Sequence, residues 1–147
     1  MYMEIRRMTF DDLPQVYAIE ESIFSKPWTY KAFRDSLNLS NAVYLVCASK
    51  DEIMGYCGLY CVLDEATITN MAVREEFRNK GIGYMLLQNI IDEARKIGIH
   101  NLTLEVRKSN LAAYHLYKQV GFEASGIRTN FYSAPVEDAI IMWKYNI

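Results

Sequence analysis

The chain has 147 residues, a formal net charge of −2, 51% hydrophobic and 23% charged residues, three cysteines and two histidines. That composition excludes disordered and collagen-like chains, offers no apolar run long enough for a membrane span, and lacks the basic excess of a general nucleic-acid binder. One domain over residues 1–147 is the expectation at this length. An odd cysteine count gives no disulfide framework, and a zinc site would have almost no histidines to draw on.

The start, Met1 to Met8, has neither an apolar signal core nor a small-residue cleavage site. A cytoplasmic protein is therefore expected, where free thiols are normal. Cys47, Cys57 and Cys61 sit in apolar surroundings and read as small buried hydrophobes. Residues 3–8 read as a short strand. Thr9 and Asp11 are candidate helix caps, and Leu13, Val16, Tyr17, Glu20 and Ile23 recur at helical spacing. Pro27 breaks that pattern, and Thr29 can cap a second helix through about Leu39. Residues 43–49 and 53–63 read as a hairpin about the turn Lys50-Asp51-Glu52, and residues 66–73 as the next strand.

The strongest helix runs from about Gly81 to Ile97, with Ile82, Met85, Leu86, Asn89, Ile90, Ala94 and Ile97 on one stripe and Gly98 as its stop. Residues 101–107 alternate, with Leu102, Leu104 and Val106 on one face and Thr103, Glu105 and Arg107 on the other. Ser109 or Asn110 caps a helix carrying Ala113, Leu116, Tyr117 and Val120. Gly121 ends that helix, and Phe122 can fold back on it. Strands near 123–132 and 137–146 follow. Alternating elements of this kind point to an α/β or α+β chain with a central sheet.

Chemistry concentrates in three places. Arg78-Asn79-Lys80-Gly81-Ile82-Gly83 joins a strand to the best helix, and free N–H groups at a helix start suit a phosphate or pyrophosphate. It is neither a Walker A loop nor a dinucleotide fingerprint, since no Lys-Ser/Thr and no third glycine follow. Taken singly, Glu105 reads as a solvated residue on an open sheet face. Tyr117 reads as a core aromatic.

Together these segments resemble the GNAT superfamily of acetyl-CoA-dependent N-acetyltransferases. Arg78-x-x-Gly81-x-Gly83 is similar to its pyrophosphate loop. Leu104-Glu105-Val106-Arg107-x-Ser109-Asn110-x-x-Ala113-x-x-Leu116-Tyr117-x-x-x-Gly121-Phe122 resembles the N-terminal acetyltransferase branch, and within it the ribosomal-protein-alanine N-acetyltransferases. Pro27-Trp28, Arg128-x-x-Phe131-Tyr132 and Glu137-Asp138-Ala139 add to the likeness. Phe131 stands where the family commonly has a tyrosine.

The resemblance implies a GNAT fold, a mixed, mostly antiparallel sheet of about seven strands flanked by four helices. It implies acetyl-CoA as co-substrate, no metal, and acetyl transfer to a protein N-terminus, that of a small-subunit ribosomal protein. Membrane and direct nucleic-acid partners are not implied. Met71, Ala72 and Val73 would receive the pantetheine arm on a bulged strand, with a backbone N–H stabilising the oxyanion. Arg78, Asn79, Lys80, Gly81, Ile82, Gly83 and Tyr84 would hold the pyrophosphate, and Asn110 would bond the cofactor. Glu105 would be the general base and Tyr117 the general acid, with Trp28, Phe131 and Tyr132 against the acceptor. Two other readings are a GNAT acting on a small amine or lysine, and a non-catalytic acyl-CoA-binding module.

Overall fold

Val43, Leu45 and Cys47 turn to one side of their strand and Tyr44, Val46 and Ala48 to the other, and all six are buried. A strand buried on both faces needs a helical layer on each. The computed structural model, which describes residues 2–147, has that arrangement. Its strands are β1 (Glu4–Arg7), β2 (Ala42–Ser49), β3 (Glu52–Val62), β4 (Glu65–Val73), β5 (Asn101–Arg107), β6 (Glu123–Tyr132) and β7 (Glu137–Lys144). They form one sheet in the order β1-β2-β3-β4-β5-β7-β6, antiparallel throughout except for β4 with β5. Helices α1 (Leu13–Ile23) and α2 (Tyr30–Leu37) cover one face, and α3 (Ile82–Lys96) and α4 (Leu111–Gln119) the other. This is the mixed, mostly antiparallel seven-stranded sheet that the sequence led us to expect.

Several details differ from that reading. Asp11 is not a cap. Asp12 is the buried carboxylate there, taking Arg6 at 2.7 and 2.9 Å and the Thr9 N–H at 2.8 Å. Burial opposes its charge, and these bonds outweigh burial and hold its carboxyl below the usual range. Ile19 joins the buried face of α1, and α2 stops at Leu37. On α3 the buried stripe is Ile82, Leu86, Leu87, Ile90, Ile91 and Ala94. Asn89 faces solvent and bonds its own backbone at Met85, and Ile97 lies past the last turn, 51% exposed.

Two features of β4 open the sheet. Gly58 stands opposite Asn70 and Leu59 opposite Ile68, so Thr69 is an extra residue and the strand bulges there. The bulge lies just ahead of Met71–Val73, the segment expected to carry it. Tyr44 lies across Gly58 and donates its hydroxyl to Asn70 Oδ1 at 3.2 Å. Beyond the bulge, β4 loses its other neighbour. It pairs with β5 only where Glu65, Ala66 and Thr67 meet Asn101, Leu102 and Thr103.

A Cβ on Gly58 would fall inside the Tyr44 ring. Overpacking of this kind typically costs about 1–3 kcal/mol. Gly58→Ala should lose about that much stability in urea unfolding, and an unchanged midpoint would mean that Tyr44 is free to move away.

Candidate active site

Where β4 and β5 part, a cleft of about 1270 Å³ opens between them. It is lined by Trp28, Met71, Ala72, Val73, Arg78, Asn79, Gly81, Ile82, Gly83, Tyr84, Glu105, Asn110, Tyr117, Phe131 and Tyr132. These are the site residues expected from the sequence, with one exception. Lys80 is exposed on the loop before α3 and does not line the cleft.

That loop is shaped by two left-handed residues, Asn79 (φ 61°) and Gly81 (φ 79°). Nothing lies within 4 Å of where a Gly81 Cβ would be, so the backbone there is open to a ligand. The first helical bond of α3 runs from the Met85 N–H to the Gly81 carbonyl, which leaves the N–H groups of the turn before it free. Arg78 is tied back by its Nε to the Val73 carbonyl at 3.1 Å. The loop could therefore hold a pyrophosphate. Gly83 has a different reason to be glycine: its Cβ would sit 2.9 Å from Leu116 Cδ2 and 3.2 Å from Met71 Cε. It lets α3, α4 and β4 meet under the cleft. Asn110 caps α4 by accepting the Ala113 N–H at 3.2 Å, so its amide nitrogen is the group left for a ligand.

Strand alternation turns Glu105 away from the core, and its side chain is 27% exposed. Oε1 lies 3.1 Å from Arg128 Nε. Oε2 is buried, and among the described residues it has no hydrogen-bond partner. Tyr117 is buried on α4, edge-on to Phe122 at 6.1 Å. Burial, with smaller effects from Cys57 and Tyr132, pushes its ionisation well above that of an ordinary phenol. It keeps its proton throughout the neutral range.

Three further carboxylates hold the walls. Glu137 Oε2 accepts the Ser109 N–H at 2.6 Å, and its Oε1 meets Arg107 at 3.2 Å. The same Arg107 guanidinium lies 4.4 Å over the Tyr132 ring. Asp138 Oδ1 accepts the Asn130 N–H at 2.8 Å, which fixes Asn130 at φ 53° and with it the irregular turn that presents Phe131. Opposite, Glu20 is buried and accepts from the Tyr56 hydroxyl at 2.6 Å and the Trp28 N–H at 3.0 Å. The sequence reading assigned no role to Glu20, Glu137 or Asp138. A signal existed for Glu20, a carboxylate on an otherwise apolar helix stripe. The other two depend on contacts between distant segments.

Among the described residues, no group of three or more His, Cys, Asp or Glu is placed to hold a metal ion, and no helix is long and apolar enough to cross a membrane. Residues 13–122 match the model of the Acetyltransferase (GNAT) family. A relative from Bacillus subtilis (strain 168) is 41% identical over 141 residues, covering 95% of this chain and 93% of its own. The [Ribosomal protein bS18]-alanine N-acetyltransferase of Salmonella typhimurium (strain LT2) is 40% identical over 133 residues, 89% of each chain. The crystal structure of the ribosomal-protein-S18-alanine N-acetyltransferase from Escherichia coli superposes with a TM-score of 0.90 at 35% identity, covering 99% of this chain and 94% of that one.

The bond from Ser109 holds the Glu137 carboxyl below its ordinary value against the opposing effect of burial, with a further contribution from Arg107. Its folded-state pKa is depressed, so the clamp is complete above the unfolded value of about 4.3 and is lost as pH falls through the lower folded value. The Ser109 amide resonance should therefore titrate with a midpoint below about 4.3. Glu137→Gln should abolish that titration. A midpoint at or above the ordinary value would mean that the clamp is open in solution.

Proposed function

The chain belongs to the GNAT acetyltransferase family and is an acetyl-CoA-dependent N-acetyltransferase, and we propose that its acceptor is the N-terminal alanine of ribosomal protein bS18. The acceptor is carried by the likeness to the bS18-alanine enzymes across nearly the whole of each chain. A ribosomal acceptor puts its work in the cytoplasm, and one domain over residues 1–147 is enough for it.

In this reading acetyl-CoA supplies the acetyl group as a thioester and departs as a thiol. The turn from Arg78 to Tyr84, Lys80 from its outer side, and the Asn110 amide nitrogen bind its phosphates and arm. The edge of Met71–Val73 that faces β5 lacks a partner strand and offers backbone donors and acceptors to the rest of it. The Glu105 carboxylate takes the proton of the acceptor's α-ammonium, directly or through a water. Tyr117, protonated at neutral pH, gives a proton to the departing sulfur. Trp28, Phe131 and Tyr132 wall the space where the acceptor's first residues lie. Transfer between the two bound substrates needs no metal and no enzyme nucleophile.

The choice of an α-amine agrees with this machinery. An α-amine has a pKa of about 7.7–8.0 and a lysine amine about 10.4. The difference of about 2.5 units amounts to roughly 3.4 kcal/mol of deprotonation. One carboxylate, with no histidine lining the cleft, suits the easier task. A small-amine or lysine enzyme would face the harder one, and a non-catalytic acyl-CoA-binding module would have no use for an orphaned Glu105 oxygen beside a buried, protonated Tyr117.

A peptide beginning with free alanine should be acetylated readily, and the same peptide with a blocked N-terminus and an internal lysine poorly. Glu105→Gln should slow the first reaction about 10²–10⁴-fold, with partial recovery at higher pH. Equal rates on the two peptides would transfer the assignment to the lysine or small-amine reading. Gly81→Val should weaken acetyl-CoA binding strongly by placing a branched side chain in the open front of the loop. Calorimetry giving wild-type affinity for a folded variant would move the pyrophosphate elsewhere.

A further inference from the structure

Glu105 is not alone in the free enzyme. Arg128 reaches it from β6, although β7 lies between β5 and β6. Strands sit about 4.8 Å apart, so this contact bridges two spacings. On β7, Ile141 stands opposite Glu105, so the contact runs diagonally between Ala139 and Ile141. Ala139 of β7 stands opposite Arg107 of β5 and opposite Arg128 of β6, and it is fully buried beneath them. The two arginines part over it: Arg107 goes to Glu137 and Arg128 to Glu105. Arg128 is itself steered by its strand-mate Phe131, whose ring centre lies 5.8 Å from the guanidinium.

The other charged or titratable groups that line the cleft with Glu105 are Arg107 on its own strand, Tyr132 on β6, Glu137 at the start of β7, Tyr117 on α4, Arg78 on the loop before α3, Tyr84 in its first turn, Glu20 on α1 and Lys26 on the segment before Trp28. Among the described residues, Arg128 is the one cation within ion-pair distance of the Glu105 carboxylate. The geometry has two effects. The guanidinium pairs with Oε1, which fixes the orientation of the carboxylate. A fixed positive charge also stands beside the place where an ammonium must lose its proton.

We propose that Arg128 is a positioning residue for the transfer, one that holds the Glu105 carboxylate in place and favours the neutral form of the bound amine. This rests on Glu105 being the base. A nearby cation disfavours the ammonium form, so the bound α-amine gives up its proton at a lower pH than it would beside Glu105 alone. The proton moves from the amine nitrogen to the Glu105 carboxylate.

The test is the single-turnover rate at saturating peptide and acetyl-CoA, measured against pH with a free-alanine peptide. Removing the cation should raise the bound amine's proton affinity. In Arg128→Gln the rising limb should shift to higher pH by roughly half a unit to one unit, since Arg128 is about half exposed. The rate near neutrality should fall about 3- to 10-fold, while the half-saturating peptide concentration stays level or drops. Arg128→Lys should restore the limb. Arg128→Met serves as a second neutral variant, with thermal melting to establish that each folds. A wild-type limb in both neutral variants, or a limb displaced as far in Arg128→Lys, would overturn the proposal. Glu105→Gln run alongside separates the two ideas. A slow Glu105→Gln with unmoved Arg128 variants overturns the Arg128 role alone, whereas a wild-type rate in Glu105→Gln removes the base it depends on.

Discussion

The site depends on the separation of two parallel strands. β4 and β5 run together for three residues and then part, leaving one side of β4 without a neighbour. Backbone groups left unpaired inside a protein are expensive, so a sheet does not open without something holding it open. Here the bulge at Thr69 redirects β4, and the Tyr44 ring, fitted over Gly58 and bonded to Asn70, locks that course. Below the gap the first turn of α3 meets the middle of α4 at Gly83, whose missing side chain admits Leu116 and Met71. The opening is thus a product of packing on both faces of the sheet.

Three carboxylates border the cleft, and they differ in how their oxygens are engaged. Glu20 has both oxygens engaged, one by Tyr56 and one by Trp28. Glu137 likewise has both engaged, by Ser109 and Arg107. Each ties a wall of the site in place, and neither has a free oxygen to offer. Glu105 has one oxygen paired and one without a partner. Proximity to the cleft does not distinguish the three, whereas counting their hydrogen bonds does.

Much of the fold was legible because periodicity is a local property. The alternation of Leu102, Leu104 and Val106 with Thr103, Glu105 and Arg107 is read off seven residues and needs no partner. The stop at Gly98 (φ 85°) is equally local. The errors fall where a distant contact decides. Helical spacing admitted Asn89 and Ile97 to the α3 stripe, but the sheet meets the helix on a line through Leu87 and Ile91. Gly83 read as a phosphate glycine, and its packing role depends on Leu116 from another helix. Lys80 carried a suitable charge, yet the turn at Asn79 and Gly81 leaves it off the cleft lining. Glu105 by itself looked like a solvated surface residue. Its significance came from resemblance, and its orphaned oxygen is visible only in three dimensions.

The irregular course of β6 has a consequence outside the chemistry. Nine of its ten residues are exposed, and it is the last strand of the sheet. A long, straight terminal strand would be a template on which other chains could add and grow into aggregates. This one is interrupted twice, at Ser125 and again between Arg128 and Tyr132, so its outward backbone groups do not keep the regular spacing that an incoming strand must match. The distortion that turns Phe131 into the cleft lining thus also guards a flank that would otherwise be adhesive.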